Sequence, residues 1–250
     1  MELAPVFELT DVCYAYDNQI PALEHVNLTI NPGERLAILG SNGSGKSTLL
    51  KLLDGLYFPS QGSIAAFGQA LSEQALQEDA YNFAFRRRVS LVFQDSDVQL
   101  FMPSVWDEVA FAPLQLGVEQ AEVRRLVEAA LHDLQIEKLR ERAPHQLSGG
   151  EKKRVALASV LGLSPEVWLL DEPSAGLDPR SVAWLLDFIE RQSRAGKTVI
   201  TSTHDLGILE SIAGRVCVLG EEHRVVAEGT PQQILADKAL LVACGLMRAG

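Results

Sequence analysis

The segment Gly40-Ser41-Asn42-Gly43-Ser44-Gly45-Lys46-Ser47-Thr48 lies between the apolar run Leu36 to Leu39 and the leucine-rich stretch Leu49-Leu50-Lys51-Leu52-Leu53. A buried strand must therefore turn into a helix within a few residues, and three glycines let the backbone fold that tightly with its N–H groups presented. The positive end of the following helix adds to them. This is the strand–loop–helix context of a phosphate-binding loop, and it reads as a pocket for a nucleoside triphosphate. Lys46 is expected to reach the β- and γ-phosphates and Ser47 to ligate Mg²⁺. Gly40, Ser41, Asn42, Gly43, Ser44, Gly45 and Thr48 form the rest of the cradle.

Composition narrows the field around that loop. Hydrophobic residues make up 47% of the 250, enough for one large α/β domain or two packed lobes. A net charge of −11 argues against a broad nucleic-acid footprint, which needs a basic face. Cys13, Cys217 and Cys244 are far apart with no C-x-x-C spacing, so neither a disulfide framework nor a zinc site is expected, and a reduced, cytosolic setting fits best. His25, His132, His145, His204 and His223 likewise show no metal-ligand spacing. Met1 to Pro5 lack the basic and apolar regions of a signal peptide, and Val155 to Leu163 falls far short of the ~20 residues of a membrane helix.

Phe7 to Tyr16 and Ala22 to Ile30 alternate at near period two around Asp17-Asn18-Gln19, which predicts antiparallel strands. Leu36 to Leu39, Val167 to Leu170, Thr198 to Ser202 and Val216 to Leu219 read as buried parallel strands. From Ser104 to Leu163 the period is helical, with Val123, Leu126, Val127, Ala130, Leu131 and Leu134 on one stripe. The expected fold class is α/β: a mixed β core with an N-terminal antiparallel β subdomain over about 5–95 and 165–235, and a helical insertion over about 95–165. A hairpin about Gly220-Glu221-Glu222-His223 and a short C-terminal helix over about 231–250, capped by Thr230-Pro231-Gln232-Gln233, complete the single domain.

Two further segments carry chemistry. Val167-Trp168-Leu169-Leu170 ends in Asp171-Glu172, at the strand end where α/β sheets bind ligands. Asp171 suits Mg²⁺, and Glu172 suits a general base for the attacking water. Ser148-Gly149-Gly150-Glu151 is a capping box for a helix over Lys152 to Leu163, and its two glycines leave a second helix N-terminus open to phosphate.

With Leu147-Ser148-Gly149-Gly150-Glu151 matching the LSGGQ/LSGGE signature, residues 5 to 235 resemble the nucleotide-binding subunit of ABC transporters. The implied fold is that of a P-loop NTPase of the ABC ATPase type. The resemblance makes Tyr16 the aromatic that stacks on adenine, with Tyr14 its rival. It also makes Gln94 the Q-loop residue that senses Mg²⁺ and the γ-phosphate, Asp178 part of the D-loop, and His204 the switch histidine that positions water with Glu172. Two cassettes then pair head to tail, as homodimer or heterodimer, each ATP lying between one chain's phosphate loop and the other's Ser148-Gly149-Gly150. Phe93 to Phe101 and Ser104 to Phe111 resemble the energy-coupling-factor branch, which serves cobalt, nickel, biotin and other vitamins, although Asp95 and Ser174 stand where Asn and Thr are commoner. The implied partners are a transmembrane coupling subunit and a substrate-binding membrane subunit, with the cassette peripheral on the cytoplasmic face of the membrane. Val98, Leu100, Phe101, Met102, Val105 and Trp106 are expected to line a groove for a coupling helix. Another ABC importer or an exporter is the alternative. A soluble ABC protein of DNA repair or translation would carry a second phosphate loop, a coiled coil, zinc cysteines or a basic surface.

Overall fold

Apolar residues fill both faces of the central strands, so each strand must be covered on both sides. The computed structural model, which describes residues 4–17 and 19–248, shows how. Strands β1 (Phe7–Tyr16), β2 (Ile20–Ile30), β4 (Gln61–Ala66) and β5 (Gln69–Ala70) form an antiparallel sheet in the order β2-β1-β4-β5. A second sheet runs β10-β9-β3-β8-β7-β6, from β3 (Arg35–Leu39), β6 (Val89–Val92), β7 (Val167–Leu170), β8 (Thr198–Thr203), β9 (Arg215–Leu219) and β10 (Val225–Gly229). All its pairings are parallel except β9 with β10.

The helices are α1 (Lys46–Leu53), α2 (Glu73–Leu76), α3 (Asp79–Arg88), α4 (Val105–Gln115), α5 (Gln120–Asp133), α6 (Gly149–Leu161), α7 (Pro179–Arg194), α8 (Leu209–Ile212), α9 (Pro231–Ala236) and α10 (Lys238–Ala243). Side chains of the parallel strands alternate between two cores. Leu36, Ile38, Val167 and Leu169 join α1 and the antiparallel sheet on one face. Ala37, Leu39, Trp168 and Leu170 join α4 to α7 on the other.

Several expectations shift in detail. Strand β2 begins at Ile20 and includes Pro21, which is tolerated because β2 is an edge strand. The region from Ser104 to Leu163 is three helices, and residues 134–148 between α5 and α6 make only two single turns of 3₁₀ helix, at Glu137–Leu139 and Pro144–Gln146. On α5 the stripe buries Val123, Val127, Ala130, Leu131 and Leu134, while Leu126 is half-buried. Helix α6 starts at Gly149 rather than Lys152, because Ser148 is the cap and both glycines are already helical. The C-terminal helix is two, α9 and α10, since Asp237 has non-helical backbone angles and accepts from Leu240 N as the second helix's cap. Residues Met1 to Leu3, Asn18 and Gly250, named in the sequence reading, lie outside the described residues.

Phe188→Ala is a sharp test of the helical core. Its ring meets Trp168 edge-on at 5.2 Å between α7 and β7, and its loss is expected to lower the unfolding free energy by about 3–5 kcal/mol. Leu114→Ala at an exposed position of α4 should change it by less than about 0.5 kcal/mol. Urea denaturation of both variants measures the difference.

Candidate nucleotide-binding and hydrolysis site

Parallel pairing aligns strand ends, and four of them meet here. Leu39 pairs with Thr203, Leu170 with Thr201 and Val92 with Leu170. The next residues out of these strands are Gly40, His204, Asp171 and Phe93. Loops from neighbouring parallel strands thus converge on the edge where such sheets bind ligands.

The loop after β3 has the backbone its glycines demand. Gly43 and Gly45 have φ of +85° and +104°, and a Cβ on Gly45 would stand 2.2 Å from the Ala22 carbonyl oxygen. The phosphate loop therefore lies directly against β2. Gly45 caps α1 without any side-chain hydrogen bond, so first-turn N–H groups stay open to an anion. Lys46 is 5% exposed, and its Nζ donates to the carbonyls of Gly40 (2.9 Å) and Ser41 (3.0 Å). It also stands 3.1 Å from Glu172 Oε1, within ion-pair reach though outside hydrogen-bond alignment.

A cleft of about 520 Å³ opens over this loop, lined by Tyr16, Asn42, Gly43, Gly45, Lys46, Ser47, Thr48, Gln94 and Glu172, with Ile20, Pro21, Ala22 and His223. Tyr16 shares a hydrogen bond with Thr48 Oγ1 at 2.8 Å. Tyr14 does not line the cleft and stacks on Tyr57, ring centroids 5.2 Å apart. Gly40, Ser41 and Ser44 lie within the loop without lining the cleft.

Behind the loop, Asp171 Oδ1 accepts from Ser47 Oγ (2.9 Å) and Ser202 Oγ (2.6 Å). Ser202 Oγ in turn accepts from Glu172 N at 2.8 Å, so one buried hydroxyl fixes both acids. Glu172 adopts φ +42°, a left-handed conformation costing on the order of 1–3 kcal/mol for such a side chain. That turn sends its Oε2 to His204 Nδ1, 2.8 Å away. The hydroxyl of Ser47 and the carboxylate of Asp171 are hard oxygen donors of the kind Mg²⁺ prefers, so this pair fits that ion.

Gln94 lines the cleft with an exposed side chain, while its backbone is bolted to α6. Lys153 Nζ donates to the carbonyls of Phe93 (3.0 Å) and Gln94 (2.9 Å). Gln99 accepts from Phe93 N and donates to Ala156 O and Ser159 Oγ. Burial pushes the Lys153 ammonium down to about 8, which leaves it mostly cationic at neutral pH and in need of both carbonyls. Sequence reading placed neither Lys153 nor Ser202 in the site. The available signals were a lysine on an otherwise buried helical stripe and a serine in a strand buried throughout.

Ser148, Gly149, Gly150 and Asp178 lie elsewhere, around a second depression of about 620 Å³ that shares no lining residue with the cleft. The capping box forms: Ser148 Oγ accepts from Glu151 N, and the Glu151 carboxylate accepts from Ser148 N. Gly149 has open space where a side chain would be. Asp178 caps α7, accepting from Arg180 N and Ser181 N.

A family model described as "ABC transporter" matches residues 23–175, which carry the phosphate loop, the signature segment and both acids. The chain belongs to the ABC transporter family. As an ABC ATPase it binds ATP and couples its hydrolysis to transport. It is 51% identical to the nickel import ATP-binding protein NikO of Rhodobacter capsulatus over 96% of this chain and 94% of that protein. It is 42% identical to the energy-coupling factor transporter ATP-binding protein EcfA of Methanoculleus marisnigri over 94% of this chain and 83% of that protein. Among solved structures, the cbiO1 component of the cbiONQ ABC transporter complex of Clostridium perfringens superposes with a TM-score of 0.81 at 36% identity, covering 98% of this chain and 96% of that one.

Lys153→Met leaves the Phe93 and Gln94 carbonyls without their donor. Stability is expected to fall by about 1–3 kcal/mol, and backbone amides from Gln94 to Asp97 should exchange faster while those of β3 do not. Hydrogen exchange read by mass spectrometry separates that local release from global loosening.

Proposed function

We propose that this chain is the ATP-hydrolysing motor of an energy-coupling-factor importer, working as one of two cassettes. The observation that carries this reading is the division of the site. The cleft over the phosphate loop and the depression at Ser148-Gly149-Gly150 each present an open helix N-terminus, yet they share no lining residue. Neither half encloses a triphosphate alone, and a head-to-tail pairing would bring one chain's loop against the other's signature segment. Asp178, at the depression's rim, would then lie at the joint.

In this reading adenine stacks on Tyr16, and the phosphate loop from Gly40 to Thr48 wraps the phosphates with its N–H groups. Lys46 trades the Gly40 and Ser41 carbonyls for phosphate oxygens, a gain because the anion carries full charge. Ser47 and Asp171, with Gln94 opposite, would hold Mg²⁺, which when bound neutralises charge on the β- and γ-phosphates. Glu172 accepts a proton from the attacking water, and His204, anchored on its other carboxylate oxygen, orients that water toward the γ-phosphate. Removal of the general base is expected to slow hydrolysis by about 10²–10⁴.

The proposed membrane contact is narrower than the sequence suggests. Leu100 and Val105 belong to the core, and Trp106 packs against that core with the Arg140 guanidinium over its ring. Val98 and Phe101 are 69% and 65% exposed, and they are the apolar pair left beside the Q-loop. The buried Glu108 carboxylate fixes their loop, accepting from Phe101 N (2.9 Å) and Met102 N (2.8 Å). We assign this patch to a helix of the transmembrane coupling subunit, with a substrate-binding membrane subunit completing the complex and this cassette peripheral on the cytoplasmic face. No described helix is long and apolar enough to cross a membrane. A transition-metal ion such as nickel or cobalt is the favoured cargo, supported by the nickel-import relative, with a vitamin such as biotin next.

Glu172→Gln should bind ATP, hydrolyse it at least about 10²-fold more slowly and accumulate as a nucleotide-bound dimer on size exclusion; near-normal turnover would remove Glu172 from this role. Phe101→Glu should abolish co-purification with the membrane subunits while soluble ATPase survives. Uptake assays with nickel, cobalt and biotin in cells carrying the complete transporter identify the cargo.

A further inference from the structure

No motif spacing connects Cys13, Glu24 and His25, yet the antiparallel sheet brings them together. One ligand atom from each lies within 4.8 Å of the others. The cause is a bulge. Val12 pairs with Val26 and Tyr14 with Leu23, so on β2 two residues, Glu24 and His25, stand opposite the single Cys13 on β1. In a regular strand, neighbouring side chains point to opposite faces. Here His25 takes φ +51°, and the ladder's irregularity lets two consecutive residues serve one point in space.

We propose that Cys13, Glu24 and His25 form a binding site for a borderline-soft divalent transition-metal ion of the Zn²⁺, Co²⁺ or Ni²⁺ class. The donor set decides the class. A thiolate and an imidazole select against Mg²⁺ and Ca²⁺, which take oxygen, and three protein ligands leave a fourth position for water. Bond lengths of about 2.0–2.3 Å require the three ligand atoms to close by roughly 1 Å, within reach of side-chain rotation at a partly exposed site.

The surroundings are built as a ligand shell. Asp11 Oδ1 lies 2.7 Å from His25 Nδ1, which leaves Nε2 for a metal, the carboxylate–imidazole arrangement that orients a ligating histidine. Asp11 is itself held by Gln61, whose Nε2 donates to Asp11 Oδ2 at 2.9 Å. His25 N donates to Cys13 Sγ at 3.2 Å, which ties the two ligand residues together. The other two cysteines are poor competitors: burial pushes the Cys217 thiol up to about 12 and raises Cys244 as well. The nearest cation to Glu24 is Arg224, 4.0 Å away, which a metal must displace.

The site adjoins the nucleotide cleft. Glu24 N donates to the carbonyl of His223, which lines that cleft, and Ala22, two residues before Glu24, touches the phosphate loop. A metal here would pin β2 against both. That linkage rests on the cleft being the ATP site; the metal site itself does not.

Cobalt titration of the nucleotide-free protein tests the assignment. The expected result is a near-ultraviolet thiolate-to-cobalt band that saturates with one ion per chain. Cys13→Ser should abolish it, His25→Ala should weaken binding at least tenfold, and Asp11→Asn should keep the band while weakening binding by about 10–100-fold. The metal-free Cys13→Ser and Asp11→Asn variants should melt like the parent, and all three should keep its ATPase activity. No band, or a band that survives Cys13→Ser, overturns the proposal. Should the band appear as expected while saturating Co²⁺ leaves ATP affinity unchanged, the site stands and only its linkage to the cleft falls.

Discussion

The parallel pairing of β3 with β8, flanked by β7, is the constraint on which the site depends. Register fixes it: Leu39 beside Thr203 and Leu170 beside Thr201 mean that the phosphate loop, His204 and both acids leave the sheet at one level. A slip of one residue would exchange the two faces of a strand and send Leu36 and Ile38 into the wrong core. The alternation between two cores therefore protects the alignment. Stability of the sheet and placement of the chemistry are one property.

Hydrogen bonds then convert alignment into geometry. Ser202, wholly buried at the end of β8, accepts from the Glu172 backbone and donates to the Asp171 side chain, so adjacent acids of one strand are held by its neighbour. On the far side, Lys153 and Gln99 bind the Q-loop backbone to α6, the helix that opens at the signature segment. Gln94 is thereby tied to that helix. The cleft and the second depression are thus joined within one chain by hydrogen bonds to main-chain atoms.

Much of the fold was legible because strong patterns are local. The phosphate loop, the capping boxes at Ser148 and Thr230, and the strands β1, β3, β7 and β9 all follow from spacing and from glycine, proline and β-branched residues. Strand β6 escaped because Val89-Ser90-Leu91-Val92 is too short to show a period, β4 because its partner β1 is distant in sequence, and β5 because two residues carry no pattern. Helix α7 has a plain amphipathic face and a Pro179 start that the reading of Asp178 as a loop residue obscured. Lys46, Asp171 and Glu172 were legible as motif members. Their bonds to Gly40, Ser202 and His204 were not, since those link residues far apart in the chain. The cluster at Cys13 was invisible for a sharper reason: a bulge leaves no trace in spacing.

The left-handed turn at Glu172 has a consequence for idling. It places the carboxylate between Lys46 and His204, so both of its oxygens face cations or ring nitrogens before any nucleotide arrives. For the general base proposed above, neither oxygen is then turned toward water. In the proposed cycle, a phosphate that draws Lys46 away uncovers one oxygen, and the same arrival supplies the bond to be broken. Under that proposal the arrangement is an interlock, in which the fuel itself arms the base.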